Sequence, residues 1–187
     1  MFFVKWLSLA LLLGLSGCSG DLNPSAADMR AVVTAGSVGN QPGQSIAPFS
    51  LLDSLGNPWN LSDHLVGGAT PANATVFYFT MWCPICLGHS DHMLFSVIPA
   101  FAARGTTHYV LVDYVSGSVV GARASELANG YGGSPFTVVS DSSQSLMTQL
   151  NAAMGSTVVV DAYGTILMNE DYRTGVNLTQ TLNGVLP

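Results

Sequence analysis

The chain has 187 residues, of which 48% are hydrophobic and 9% charged, with a formal net charge of -6. That is the length of one domain with enough apolar content to bury a full core, which excludes a disordered chain. Five Lys and Arg residues in the whole sequence form no basic patch, which excludes nucleic acid as a partner.

Met1 to Trp6 carries Lys5, and an apolar stretch from Leu7 to Leu15 leads into small residues and Cys18. The order reads as an export signal, too short for a membrane-spanning helix. An ordinary signal peptide or a buried first helix has the same composition. The sequence Leu15-Ser16-Gly17-Cys18 resembles the bacterial lipobox. That resemblance implies removal of residues 1–17, a thioether-linked diacylglycerol on the Cys18 sulfur and acylation of its new amino group. Several acyl chains anchor durably, because each buried methylene adds about 0.8 kcal/mol. Ser19, rather than Asp, follows the lipidated cysteine, which by resemblance to enterobacterial sorting rules points to the outer membrane. Residues 18–44 are small and polar, and they read as a flexible tether to the lipid anchor in which Ala27 to Thr34 could form a short helix.

The domain is expected over residues 45–187. Ile46 to Leu52, the turn Ser54-Leu55-Gly56-Asn57 and Pro58 to Leu61 read as an N-terminal hairpin. Thr75 to Thr80 is a nearly continuous apolar run, expected of a buried central strand. A helix follows from Pro84 to about Ala103, kinked or interrupted near Pro99. His108 to Tyr114 reads as a strand, Val119 to Asn129 as a helix and Phe136 to Val139 as a short strand. Ser142 to Ala153 reads as a helix capped by Asp141 or Ser142. Thr157 to Val160 and Thr165 to Asn169 form a hairpin about Asp161-Ala162-Tyr163-Gly164, and Val176 to Val185 closes the chain as a helix. Alternating strands and helices make the class α/β.

The tetrapeptide Cys83-Pro84-Ile85-Cys86 lies directly behind Trp82 at the end of the apolar strand. A helix opened by Cys-x-x-Cys places the first sulfur where unpaired amides and the macrodipole favour thiolate. Cys83 is therefore the candidate nucleophile, and Cys86, one turn further in, the candidate resolving thiol that attacks a mixed disulfide. Together they can form a reversible disulfide. Pro84 suits the first helical turn, since its missing N–H costs nothing there. Cys83, Cys86, His89 and His92 also have the residue types of a zinc set, but their spacing along one short helix makes a closed tetrahedron awkward and no second Cys-x-x-Cys exists. No metal or other cofactor is expected.

These residues resemble the redoxin group of the thioredoxin superfamily, in particular the TlpA/ResA-like thiol–disulfide oxidoreductases and the neighbouring AhpC/TSA peroxiredoxins. The resemblance runs from about Ile46 to Leu186 and rests on Ala47 to Leu51 with Gly56 and Leu61, Phe79 to Cys86, Pro135 to Asp141, and Val158 to Gly164. It implies a thioredoxin-like fold, a central mixed β-sheet flanked by helices with an N-terminal β-hairpin extension, an exposed first cysteine and a buried second one. It also implies that Trp82 packs beside the site and that Trp82, Pro84, Gly155 and Ser156 border the bound substrate. Relatives carry a cis-proline before the strand that here is Thr157 to Val160, where this chain has Met154-Gly155-Ser156. A cis bond before a non-proline residue costs about 2.5–4 kcal/mol, so this loop is expected to be trans or rebuilt around Gly155. Pro135 is the other position to which the cis-proline could be aligned. Three residues after Cys86, where many ResA-like members have a glutamate thought to help proton transfer, stands His89. It titrates near neutral pH and is the candidate general base, with a solvent-facing helical His as the alternative.

The resulting expectation is a lipid-anchored thiol–disulfide oxidoreductase facing the periplasm. Its partners would be exported proteins bearing thiols or disulfides, and an envelope electron donor or acceptor. A thiol peroxidase is one alternative, because Thr80-Met81-Trp82-Cys83 fits a Thr-x-x-Cys element. A non-catalytic or metal-binding module on the same fold is another. Sco-like copper carriers use Cys-x-x-x-Cys with a distant downstream His, and no His follows His108.

Overall fold

The computed structural model describes residues 32–187. The export signal, the lipobox with Cys18 and tether residues 18–31 lie outside the described residues. Val33–Pro187 forms one compact unit.

A hairpin of β1 (Ser50–Asp53) and β2 (Pro58–Asn60) leads into a single turn, α1 (Leu61–His64). The central strand β3 (Ala74–Thr80) is buried along its whole length, as its apolar run requires. Helix α2 (Pro84–His92) continues through a π turn at Met93–Val97 into α3 (Ile98–Phe101). Pro99 has no amide to donate to the preceding turn, and the expected interruption takes the form of this widened segment. Then come β4 (Thr107–Asp113), α4 (Val119–Ala128), β5 (Phe136–Ser140), α5 (Ser145–Gln149), β6 (Ser156–Asp161), β7 (Ile166–Asp171) and α6 (Val176–Val185).

The seven strands form one mixed sheet in the order β2-β1-β5-β4-β3-β6-β7. Strands β3, β4 and β5 run parallel, and the other pairings are antiparallel. Residue alternation on β3 divides the core. Val76 and Tyr78 face Cys86, Met93, Val97, Phe101, Leu178 and Leu182, whereas Phe77 and Phe79 face Trp59, Leu61, Leu146 and Leu150. Helices α2, α3, α4 and α6 therefore share one side of the sheet, and α1 and α5 the other.

Two expectations need correction. The helix expected from Ser142 to Ala153 covers only Ser145–Gln149. Gln144 and Asn151 adopt left-handed conformations, with φ of 56° and 49°. The Asp141 carboxylate caps the short helix from upstream, accepting from the Ser145 and Met147 amides, each at 2.8 Å. The polar run Asp141-Ser142-Ser143-Gln144 thus satisfies itself as a turn rather than extending the helix. The second correction concerns the tether. Gly43 N donates to Ile166 O and Ile166 N to Gln44 O, both at 2.8 Å. Ser45 pairs antiparallel with Thr165, and Asn169 Nδ2 donates to Asn40 O at 2.8 Å. Residues 40–45 are thus docked at the start of the β7 edge and satisfy the backbone groups of Ile166 that an edge strand would otherwise expose. Composition concealed this, because backbone hydrogen bonds hold the segment and they need no apolar side chains.

Candidate active site

The site is built where β3 ends. The parallel register sets Thr80 beside Asp113, so two strands deliver their last polar residues to one place. After Thr80 the chain turns sharply: Trp82 has φ of 59°, a conformation costing about 1–3 kcal/mol for a non-glycine residue. Two contacts hold it. Thr80 Oγ1 accepts from the Trp82 amide at 3.0 Å, and the indole Nε1–H donates to Asp113 Oδ2 at 2.8 Å. Asp113 is buried, and its other oxygen accepts from the Val115 and Ser116 amides at 3.0 and 2.9 Å. The carboxylate therefore ties the Trp82 ring to the start of the following loop.

Cys83 is the N-cap of α2, with Pro84 in the first turn. Its sulfur accepts from the Cys86 amide at 3.4 Å, and the two sulfurs are 3.1 Å apart. Both cysteines are free thiols, Cys83 half-buried and Cys86 fully buried. The Cys86 thiol and then the Cys86 amide, both hydrogen-bonded to the Cys83 sulfur, hold the Cys83 thiol below its ordinary pKa. The helix N-terminus acts in the same direction. The geometry thus gives one reachable, acidified sulfur and one protected sulfur within reach of it.

Behind the sulfurs lies a cluster of phenols and imidazoles. The buried Tyr78 ring stands on the α2 face of β3, its hydroxyl 2.9 Å from His89 Nδ1. Burial, followed by the Cys86 sulfur that the hydroxyl faces, raises the Tyr78 pKa far above the ordinary phenol value. Tyr172 packs its ring 4.7 Å from that of His89, and His92 Nδ1 lies 2.6 Å from the Tyr172 hydroxyl. Desolvation, followed by His92, lowers the His89 pKa. The expected histidine is thus half-buried and turned toward Tyr78, and it is not a solvent-facing helical residue. Among the described residues no group of three or more His, Cys, Asp or Glu is placed to hold a metal ion. His89 and His92 point their Nδ1 atoms at tyrosines.

Gly155 and Ser156 lie at the same end of the sheet, since Tyr78 pairs with Thr157 and Gly155 N donates to Phe79 O at 3.0 Å. The peptide bonds there are trans, and Gly155 has φ of 85°. The hydrogen-bonding groups of these residues are occupied within the protein. Gly155 O accepts from Tyr172 N at 2.9 Å, and Ser156 Oγ accepts from Ala153 N at 2.9 Å. The loop's exposed member is Met154, and Met81 and Ile85 are exposed beside the cysteines.

Sequence reasoning missed Tyr78 and Asp113. Tyr78 is a hydroxyl-bearing ring within the apolar run before the cysteines, two residues from either strand neighbour on its face. Asp113 is a carboxylate closing another apolar strand. Each was a polar group in a segment otherwise built for burial, which is a legible signal.

The topology and the cysteine pair at a strand-to-helix junction define a thioredoxin-like fold. No protein-family model and no curated protein sequence matches the chain. Solved structures do. A peroxidoxin, BcpB, from Mycobacterium tuberculosis superimposes with a TM-score of 0.61 at 18% identity, covering 77% of this chain and 97% of that one. A candidate thiol:disulfide interchange protein DsbE from Chlorobium tepidum gives 0.62 at 18% identity, covering 78% and 97%. A secreted disulfide oxidoreductase of M. tuberculosis, homologous to DsbE of E. coli, gives 0.54 at 17% identity, covering 73% and 95%. Among the described residues no helix is long and apolar enough to cross a membrane.

Proposed function

We propose that the protein is a thiol–disulfide oxidoreductase of the bacterial cell envelope. It is anchored by lipid at Cys18 and exchanges disulfides with exported proteins through Cys83 and Cys86. The observation that carries this reading is the dithiol itself: a half-exposed sulfur with lowered pKa, 3.1 Å from a buried partner at the start of a helix. The Cys83 thiolate attacks a substrate disulfide, forming a bond to one substrate sulfur and releasing the other as thiolate. Cys86 then attacks the Cys83 sulfur, closing the Cys83–Cys86 disulfide and releasing the second substrate thiolate. The reverse sequence oxidises a dithiol substrate. Trp82, Pro84 and the Met154–Ser156 loop border the approach, and apolar Met81, Ile85 and Met154 offer contact to a substrate chain.

The peroxidase alternative draws support from Thr80 preceding the cysteine and from the likeness to a peroxidoxin fold. Against it, the Thr80 hydroxyl oxygen accepts the Trp82 amide, Arg104 is engaged by Asn183 and the C-terminal carbonyls, Arg123 by Glu126, and Arg173 is exposed beyond the end of β7. Insulin reduction in the presence of a dithiol tests the reading: wild type should accelerate it and Cys83→Ser should not. Equal rates would refute it. Hydrogen peroxide consumption faster than disulfide exchange would favour the peroxidase.

A further inference from the structure

Closing the Cys83–Cys86 disulfide requires Cys86 to lose a proton, yet Cys86 is fully buried, out of reach of a base in solvent. Tyr78, on the α2 face of β3, packs in the same buried cluster as Cys86, and its hydroxyl reaches His89 Nδ1 at 2.9 Å. His89 is only half-buried, so it lies between the phenol and solvent. We propose that Tyr78 is a proton relay that carries the Cys86 proton to His89, so that a buried phenol and an imidazole do the work of a general base for the resolving thiol.

The inference rests on the thiol–disulfide exchange reading and specifies its second step. At the mixed disulfide, Cys86 passes its proton to Tyr78 Oη as the Tyr78 proton passes to His89 Nδ1. The Cys86 sulfur bonds to the Cys83 sulfur, and the bond from Cys83 to the substrate sulfur breaks. The substrate leaves as thiolate, and His89 holds the proton as imidazolium before yielding it to solvent. Cys86 and Cys83 together are oxidised by two electrons, and the substrate disulfide is reduced by two. In the reverse direction the Tyr78 hydroxyl donates to Cys86 as it leaves as thiolate, while His89 Nδ1–H donates to the phenol oxygen.

One hydroxyl can serve both states because it rotates between two acceptors. The groups around the relay suit it. Tyr78 faces Cys86, Cys83, Tyr172 and His89, and the ionised sulfurs and burial all oppose a phenolate. The phenol therefore passes a proton without holding the charge. His89 faces Tyr78 from β3, Tyr172 from the segment after β7 and His92 from its own helix. With desolvation and His92 lowering its pKa, His89 begins neutral at pH 7 and is free to accept.

The test uses the full chain with Cys18→Ser, so that two thiols remain, and the chromogenic disulfide dithiobis(nitrobenzoate). Reduced protein should release thionitrobenzoate in two phases, the first from attack by Cys83 and the second from closure by Cys86. In Tyr78→Phe, which keeps the ring and deletes only the hydroxyl, the ratio of second-phase to first-phase rate should fall about 100-fold, the usual scale of general base catalysis. Its inflection in the imidazole range of pH should vanish. His89→Gln should lose the same inflection, and the double variant should be no slower than the slower single one. Either variant suffices if the other does not fold. A second phase with wild-type rate and pH profile in Tyr78→Phe or His89→Gln would overturn the relay. Absence of a first phase in wild type would instead overturn the exchange reading on which it rests.

Discussion

Asp113 is predicted to set both the stability of the domain and the pose of the active-site tryptophan. Its buried carboxylate accepts three hydrogen bonds, from the Trp82 indole at 2.8 Å and the Val115 and Ser116 amides at 3.0 and 2.9 Å. Bonds to a charged acceptor are each worth about 1.5–3 kcal/mol. In Asp113→Ala the two loop amides recover water, since Val115 is 45% exposed, so their loss counts at well under full value. The Trp82 indole is less able to recover, and its left-handed backbone loses a restraint. The sum is about 3 kcal/mol, or a urea midpoint lowered by about 1.5 M at a slope near 2 kcal/mol/M. Asp113→Asn separates the parts. Its carbonyl can still accept the two amides, but its NH2 then meets the indole N–H, donor against donor. The expected loss is about 1–3 kcal/mol, with nearly all of it at Trp82. Urea unfolding of the reduced protein, followed by tryptophan fluorescence and by far-UV circular dichroism, provides the measurement. An Asp113→Ala midpoint within about 0.3 M of wild type would refute the claim that this carboxylate holds the turn.

Cys86→Ala should raise the Cys83 pKa toward the ordinary thiol value without fully restoring it, because the Cys86 amide still donates to the Cys83 sulfur. Thiolate absorbance against pH reads the shift, and an unchanged value would contradict the assigned cause. His64 stacks on Trp59 and packs against His108, and desolvation followed by His108 lowers its pKa. The unfolded chain thus binds the proton more readily, so folding stability is full above the ordinary histidine value of about 6.5 and falls as pH drops below it. Denaturant midpoints from pH 7.5 to 5 should show a weaker slope in His64→Gln. Gly43→Pro deletes the amide that donates to Ile166 O and forbids the native φ of 87°. It should therefore cost about 2–3 kcal/mol, whereas a free tether would show no change in midpoint.

The sheet was legible in the sequence because each core strand is an apolar run of β-branched and aromatic residues bounded by turn formers. The limits of β3, β4 and α6 match the expectation within two residues for that reason. Short elements were less legible. The single turn α1 has too few residues for a periodic signal, and α5 was overestimated because Leu146 and Leu150 repeat at helical spacing while Asp141 and two left-handed residues confine the helix. The cysteine pair was legible from spacing alone. The groups that serve it were not, because Tyr78 meets His89 across eleven residues of sequence and Trp82 meets Asp113 across thirty-one. Such pairs follow from strand register, which no local pattern encodes.

The composition of the site bears on how it works. No cationic side chain is among the causes that lower the Cys83 pKa, which are hydrogen bonds from Cys86 and backbone amides. Acidity at Cys83 is therefore built from neutral dipoles of the helix start, which act at close range within the first turn. The same economy of charge holds for Cys86. A buried carboxylate beside it would add the cost of desolvating an ion in the reduced state. A phenol kept protonated by its surroundings carries no such charge, and the imidazole that takes the proton sits nearer to water, where the imidazolium is cheaper to form. The strained turn at Trp82 has a matching role: it ends β3 abruptly enough to put Cys83 at the helix cap while Tyr78, five residues earlier, remains beneath Cys86. Relaxing that turn would separate the exposed sulfur from the helix N-terminus that acidifies it, so the strain at Trp82 and the reactivity of Cys83 are one structural commitment.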